Sequence, residues 1–193
     1  MCSVTKDQKL PYELNYILQP DGVVEMRVTY RVGPDFNLPR LSLQVSLNPD
    51  LEMVKWFGRG PQECYWDRKN AAYMGVYENT VAGMEEAYVR AQSMGNREDV
   101  RWLTLKDKHN RGMKIFMDDA FQGFSALHYT DQDLWNVEYG HDLDRIRRAE
   151  VILNLNTIQR GLGNASCGPG PRPKYEIEKD KEYSSVFRIV PVW

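Results

Sequence analysis

Apolar and polar residues alternate along several short stretches of the chain. The clearest stretch places an apolar residue at every second position: Val24, Met26, Val28, Tyr30 and Val32. The residues between them are charged or threonine, and a period of two puts alternate side chains on opposite faces of a strand. We therefore predict a half-buried strand here, joined by a turn at Pro20-Asp21-Gly22 to a preceding strand over residues 12–19.

Similar short segments recur along the chain, bounded mostly by Gly, Pro, Asn or Asp: residues 41–47, 113–117, 151–155, 175–177 and 183–192. Many short strands without helical spacers are typical of an antiparallel sandwich. One short helix is expected, capped by Thr130 or Asp131 and ending before Gly140. Without a fixed-period repeat or a low-complexity linker, the economical interpretation is one all-β domain over residues 1–193.

Composition excludes some functions. The chain has 193 residues and a formal net charge of -2, so nothing electrostatic favours a nucleic-acid partner. No apolar run approaches the roughly 20 residues that a membrane-spanning helix needs, so we expect a soluble protein without a membrane partner. Cys2, Cys64 and Cys167 have unrelated spacings and are expected to be free thiols. The histidines are likewise scattered, and we expect neither a metal nor another cofactor.

The sequence offers little catalytic chemistry. It contains no Walker motif and no Gly-x-Ser-x-Gly elbow. Its carboxylates could in principle supply the pair that glycoside hydrolysis needs, but those considered lie in charged or turn-like surroundings, where solvation is the usual role: Glu63, Asp67, Glu85, Glu86, Asp118 and Asp119. We therefore assign no catalytic residue.

Tryptophans and glycine-rich loops suggest where a sugar could bind. Trp56 and Trp102 lie in apolar, strand-like runs and are expected in the core, whereas Trp66 follows the glycine loop 58–61 and is the better candidate for an exposed ring. A second glycine-rich segment, residues 161–171, is too long for a plain hairpin turn. Loops of this kind are often functional, so this is where we expect a ligand.

A family resemblance emerges from the motifs. Residues 56–68 read W-F-G-R-G-P-Q-E-C-Y-W-D-R. They resemble the W-x-G-x-G-P-x-E-x-Y-x-D-R signature of the large bacterial β-galactosidases of glycoside hydrolase family 2. Further matching motifs follow in order: residues 75–77, 95–102, 124–129, 141–143 and 161–171 with Tyr175. The resemblance covers nearly the whole chain from about Leu38, although Ala87 and Ala91 stand where the family usually has proline.

The resemblance implies a fold and a position in a larger enzyme. In that family this region is the last domain, an antiparallel supersandwich resembling the galactose mutarotase fold. The catalytic glutamates and metal ligands lie in a TIM barrel that this chain lacks. The chain is therefore expected to be inactive alone, with the catalytic TIM-barrel domain of its parent enzyme as partner. The parent would be cytoplasmic or periplasmic in a bacterium.

The resemblance also implies a contribution to the substrate site. The loop over residues 161–168 reaches toward the barrel, where some members place a tryptophan that stacks on the sugar or aglycone. Cys167 occupies that position here, so a flat stacking surface is lost. With Ser166, Asn164 and Trp66 it is predicted to contact a galactoside-type carbohydrate. The alternative is that Cys167 only packs the loop.

Two other functions stay open from the sequence. A free-standing carbohydrate-binding module would present aromatic side chains in a groove. A mutarotase-like epimerase would need a converging acid and base, for which His128 or His141 with Glu138 are candidates. Self-association into a homo-oligomer through an exposed apolar face is a further hypothesis.

Overall fold

The computed structural model describes residues 3–5, 8–118, 122–164 and 168–193. Within them the chain forms twelve strands: β1 (Ser3–Thr5), β2 (Gln8–Lys9), β3 (Tyr12–Leu18), β4 (Val24–Val32), β5 (Arg40–Leu47), β6 (Met53–Gly60), β7 (Tyr73–Thr80), β8 (Trp102–Lys106), β9 (Gly112–Met117), β10 (Gly123–Leu127), β11 (Val151–Gln159) and β12 (Lys181–Val192). One α-helix, α1 (Asp131–Asn136), and three 3₁₀ turns complete the elements: Ala82–Met84, Gly140–Ile146 and Pro173–Tyr175.

The strands form antiparallel sheets. Seven lie in one sheet in the order β3-β4-β12-β9-β8-β6-β7, and three lie in another in the order β10-β11-β5. β1 and β2 pair separately. The prediction of an antiparallel all-β sandwich is confirmed. None of the helices within the described residues is long and apolar enough to cross a membrane.

The core contains buried side chains from both large sheets. Trp56 on β6 packs edge-on against Phe124 on β10, with the ring centroids 5.9 Å apart. Both belong to one hydrophobic cluster that also includes Leu103 and Leu153. Trp102, expected in the core, is only half-buried, and its ring lies 4.5 Å from the Lys114 ammonium group.

The predicted alternation holds where one face of a strand meets solvent. In β4 the residues from Met26 to Val32 alternate as predicted, with Arg27 and Arg31 exposed. In β11, by contrast, every residue is buried because both faces are covered. Asn154 bonds inside the sheet, where its Nδ2 donates to Ser125 Oγ at 3.2 Å. Residues 175–177, predicted as a strand, do not form one. Pro173 starts a 3₁₀ turn there, which ends at Tyr175.

Helix α1 has the N-terminus that the sequence predicts. Thr130 Oγ1 accepts from the Asp133 amide at 3.1 Å, and the Asp133 carboxylate accepts from the Thr130 amide at 2.8 Å, which forms a capping box. The hydrogen bond from Arg148 lowers the pKa of Asp133 far below its ordinary value, so the cap stays charged. The helix is therefore fixed by its first turn rather than by its length.

Removing this cap should destabilise the fold modestly. For Thr130→Ala we expect a decrease of about 1 kcal/mol in the free energy of unfolding, because the Asp133 amide loses its acceptor. Thr130→Ser keeps the hydroxyl oxygen and should retain most of that stability. Urea unfolding of both variants measures the difference, and equal losses would contradict a capping role.

Candidate functional site

Asp67 holds the start of the glycine-rich loop over residues 161–171. Its Oδ1 accepts from the Leu162 amide at 3.0 Å, and its Oδ2 accepts from the Gly163 amide at 2.7 Å. The Arg68 guanidinium donates to the Gly163 carbonyl. Bonds between a charged side chain and backbone groups are among the stronger hydrogen bonds in proteins. The loop is therefore attached to a segment about 95 residues earlier in the chain.

Close contacts explain two of the glycines. A Cβ on Gly161 would lie 2.8 Å from Asp67 Cγ and 2.9 Å from Tyr175 Cβ. Gly163 has a φ of +57°, and a Cβ there would meet the Gly170 and Pro171 backbone at 2.4 Å. Larger residues would therefore push the two ends of the loop apart.

The loop closes on itself beyond this base. The Asn164 amide donates to the Pro169 carbonyl at 2.9 Å, and the Gly161 amide donates to the Tyr175 carbonyl at 2.9 Å. Asn164 is exposed, as a ligand-binding residue must be. Ser166 and Cys167, the other predicted contacts in this loop, lie outside the described residues.

Trp66 lies at the base of the loop. Its ring is half-buried against the core, and its edge meets the Tyr175 ring with centroids 5.7 Å apart. The sequence-based expectation of an exposed ring is therefore wrong, because Tyr175, which follows the loop in sequence, packs on the Trp66 ring. Any sugar contact by Trp66 would involve only its uncovered part, and this contact stays a prediction.

The segment that carries Trp66 and Asp67 is fixed by a buried polar cluster. The Cys64 amide donates to the Asn96 carbonyl at 2.9 Å, and Asn96 Nδ2 donates back to the Cys64 carbonyl at 2.8 Å. Glu63 accepts from the Gly95 amide at 2.8 Å and from the Tyr65 hydroxyl at 3.0 Å. Two motifs that are separate in sequence, residues 56–68 and 95–102, therefore form one anchor. Cys64 is a buried free thiol, and burial raises its pKa to about 11.

Charged residues complete this anchor. The Lys69 ammonium lies 2.6 Å from Asp99 Oδ1 and 3.4 Å from Glu98 Oε2. Arg59 also binds Asp99 and donates to the Ala72 carbonyl at 2.8 Å. Burial raises the pKa of Glu98 to about 7, although Lys69 and the Asn96 side chain oppose the rise. Because this raised pKa lies near neutral pH, the stability of the cluster is expected to depend on pH.

Of the two acid–base pairs suggested for an epimerase, His128 with Glu138 does not form, whereas His141 and Glu138 are both exposed and that pair stays a prediction. His128 Nε2 contacts Glu52 Oε2 at 3.0 Å, and Nδ1 contacts the Glu150 carbonyl oxygen at 3.1 Å. Glu52 Oε1 accepts from the Ala82 amide at 2.9 Å. Both ring nitrogens of His128 are occupied inside the fold, while Glu138 lies exposed elsewhere. The pair of His128 and Glu52 therefore supports the packing, and His128 offers no free base to a substrate.

Comparison with known proteins identifies the family. A family model described as the β-galactosidase small chain matches residues 1–189. This chain belongs to the β-galactosidase small-chain family. The resemblance seen in the motifs is confirmed at that level.

Individual members are similar over most of this chain but are much longer. A β-galactosidase of Priestia megaterium is 28% identical over 183 residues, which is 93% of this chain and 17% of that protein. One from Arthrobacter is 27% identical over 192 residues, covering 97% of this chain and 19% of that protein. One from Kluyveromyces lactis is 29% identical over 158 residues, covering 81% and 14%. The chain thus spans less than a fifth of the length of these curated relatives.

Sequence reasoning missed the residues that hold the glycine-rich loop over residues 161–171. From the sequence, Asp67 is a candidate carboxylate and part of the motif over residues 56–68, and Tyr175 belongs to a predicted strand and to a motif. Neither is predicted to hold the loop. Both belong to motifs that the sequence displays, which is the signal that could have drawn attention to them. No local pattern, however, pairs Asp67 with amides near residue 162, because the contact depends on the packing of the whole sandwich.

Proposed function

We propose that this chain is the non-catalytic C-terminal part of a glycoside hydrolase family 2 β-galactosidase. In this proposal it docks on a separate TIM-barrel catalytic domain. It completes that domain's galactoside site with the glycine-rich loop over residues 161–171, called the glycine loop from here on. Cys167, Ser166 and Asn164 would line the subsite, and the uncovered part of Trp66 would border it. Family membership and the small share of each relative that the chain matches support this assignment.

The observation that carries the proposal is the construction of the loop. Asp67 and Arg68 grip its base, the Asn164 amide closes it, and Asn164 itself faces solvent. Binding residues often lie on loops that the scaffold positions, and here charged side chains bind both the amide and the carbonyl of Gly163. Such a base suits a loop whose outer residues must reach a fixed place in a neighbouring active site.

Three of the candidate carboxylates have partners that support a non-catalytic role. Asp67 and Glu63 accept backbone amides, and Glu85 lies 2.6 Å from the Arg147 guanidinium. Carboxylates that are occupied by structural partners are poorly placed to act as a hydrolytic acid and nucleophile. Hydrolysis is therefore expected to come from the catalytic domain.

Hydrolysis of o-nitrophenyl β-galactoside tests the proposal. We expect no turnover by this chain alone and restored turnover when it is mixed with the separately expressed catalytic portion. Cys167→Ala should raise KM by about fivefold, equivalent to a loss of about 1 kcal/mol of binding, because the smaller side chain makes fewer contacts in the subsite. Cys2→Ala, the same substitution outside the loop, is the control.

The outcomes separate the functions considered. Turnover by the chain alone would overturn the non-catalytic assignment. Binding of galactosides by the chain alone, with no effect on the catalytic portion, would instead favour a free-standing carbohydrate-binding module.

A further inference from the structure

We propose that Asp67 is the positioning residue of the glycine loop and thereby sets how tightly the assembled enzyme binds its galactoside. The inference rests on the proposed function, because it takes the loop to line the substrate site. Asp67 itself would not touch substrate. It would act through the backbone of Leu162 and Gly163.

The contacts give Asp67 this role. Each carboxylate oxygen accepts one amide, with distances of 3.0 Å for Leu162 and 2.7 Å for Gly163. The side chain is half-buried, so water replaces these bonds less easily than at an exposed site. Two consecutive amides bound by one carboxylate fix the direction in which the chain leaves β11.

The neighbouring residue binds the other backbone polar group of Gly163. Arg68 donates to the Gly163 carbonyl, while Asp67 accepts from the Gly163 amide. The left-handed φ of +57° at Gly163 is thus held at both ends by one dipeptide. Displacing either side chain would release the residue immediately before Asn164.

The dipeptide is itself well fixed. The Arg68 amide donates to the Tyr65 carbonyl at 2.7 Å, which closes a tight turn. Cys64, just before this turn, is doubly bonded to Asn96 in the buried polar cluster. The reference point for the loop is therefore the buried polar cluster rather than another surface segment.

Asp67→Asn is the sharpest change available. Asparagine has the same shape, but its amide nitrogen is a donor and would face a backbone donor. One of the two loop amides would lose its acceptor. Arg68→Met is the second variant, because it removes the guanidinium while keeping an apolar stem.

Amide hydrogen exchange on this chain tests the anchoring directly. We expect Leu162 and Gly163 to exchange about tenfold faster or more in Asp67→Asn, and Gly163 to exchange faster in Arg68→Met. Asp144→Asn, at an exposed aspartate outside the loop, should leave both rates unchanged. Unchanged rates at Leu162 and Gly163 in both anchor variants would overturn the proposal, whatever the enzyme's activity.

Kinetics of the assembled enzyme with o-nitrophenyl β-galactoside test the consequence. Asp67→Asn should raise KM by about fivefold while kcat changes less than about twofold, because the reacting groups lie in the other domain. The double variant Asp67→Asn/Cys167→Ala should have a KM only slightly above that of the single variant with the higher KM, since both substitutions act through one loop. Additive effects would overturn the claim that Asp67 acts through the loop.

Failure of the proposed function gives a different result. Faster exchange at Leu162 and Gly163, with KM unchanged in both Asp67→Asn and Cys167→Ala, would confirm the anchor but place the loop outside the substrate site. The claim that Asp67 sets galactoside binding would then be wrong.

Discussion

Replacement of Trp56 by alanine is expected to lower the free energy of unfolding of this chain by about 4 kcal/mol. Trp56 is fully buried and lies at the junction of the two large sheets. Its ring contacts Tyr77 with centroids 5.5 Å apart, and its Nε1 donates to the Arg59 carbonyl at 2.9 Å. Truncation would leave a cavity, a carbonyl without its donor and a buried Arg97 guanidinium without the ring beside it. Urea unfolding followed by circular dichroism measures the loss.

The matched control is another tryptophan. Trp135 on α1 is 84% exposed, so Trp135→Ala should change the free energy of unfolding by less than about 0.5 kcal/mol. Comparable losses in the two variants would contradict the assignment of Trp56 to the centre of the core.

Stability should also fall as the pH rises through the range in which Glu98 loses its proton. The pKa of Glu98 is about 7 in the folded chain and 4.5 for an ordinary glutamate. Between those values the folded state binds more protons than the unfolded state, so the free energy of unfolding decreases with increasing pH. At about 1.4 kcal/mol per pH unit, this one group accounts for a decrease of about 3 kcal/mol between pH 4.5 and 7. The contribution is complete below pH 4.5 and lost above pH 7.

Comparison with Glu98→Gln isolates this contribution. The amide cannot ionise, so the difference in unfolding free energy between wild type and variant should change by about 3 kcal/mol from pH 4.5 to 7.5. Glu138→Gln, at an exposed glutamate, is the control for the substitution itself. A Glu98→Gln curve parallel to the wild type would show that Glu98 does not titrate in this range.

These two predictions concern the same part of the molecule as the proposed site. Glu98 and Asn96 share a hydrogen bond of 2.8 Å, and Asn96 also holds Cys64, next to the turn that carries Asp67. A buried charge here costs desolvation energy and is weak evidence for stability. We expect its benefit to be a single fixed arrangement of the segment that anchors the loop.

Much of the local structure follows from the sequence. The alternation in residues 24–32 predicted β4 and its inward face, because a strand with one wet face must alternate. Thr130 predicted the start of α1, because an N-cap is satisfied within the first turn of a helix. The ordered motifs from Trp56 to Tyr175 identified the family. Each of these signals lies within a short stretch or is read in order along the chain.

The sequence alone determined the all-β class, most strands, the short helix and the glycine loop as the place to examine. Only the tertiary structure revealed that β11 is buried on both faces, that Tyr175 covers part of Trp66, and that His128 binds Glu52 rather than Glu138. The tertiary structure alone also showed that Asp67 accepts a hydrogen bond from the Gly163 amide. These features depend on which distant segments meet when the sheets pack, and hydrophobic period and turn chemistry carry no information about such partners.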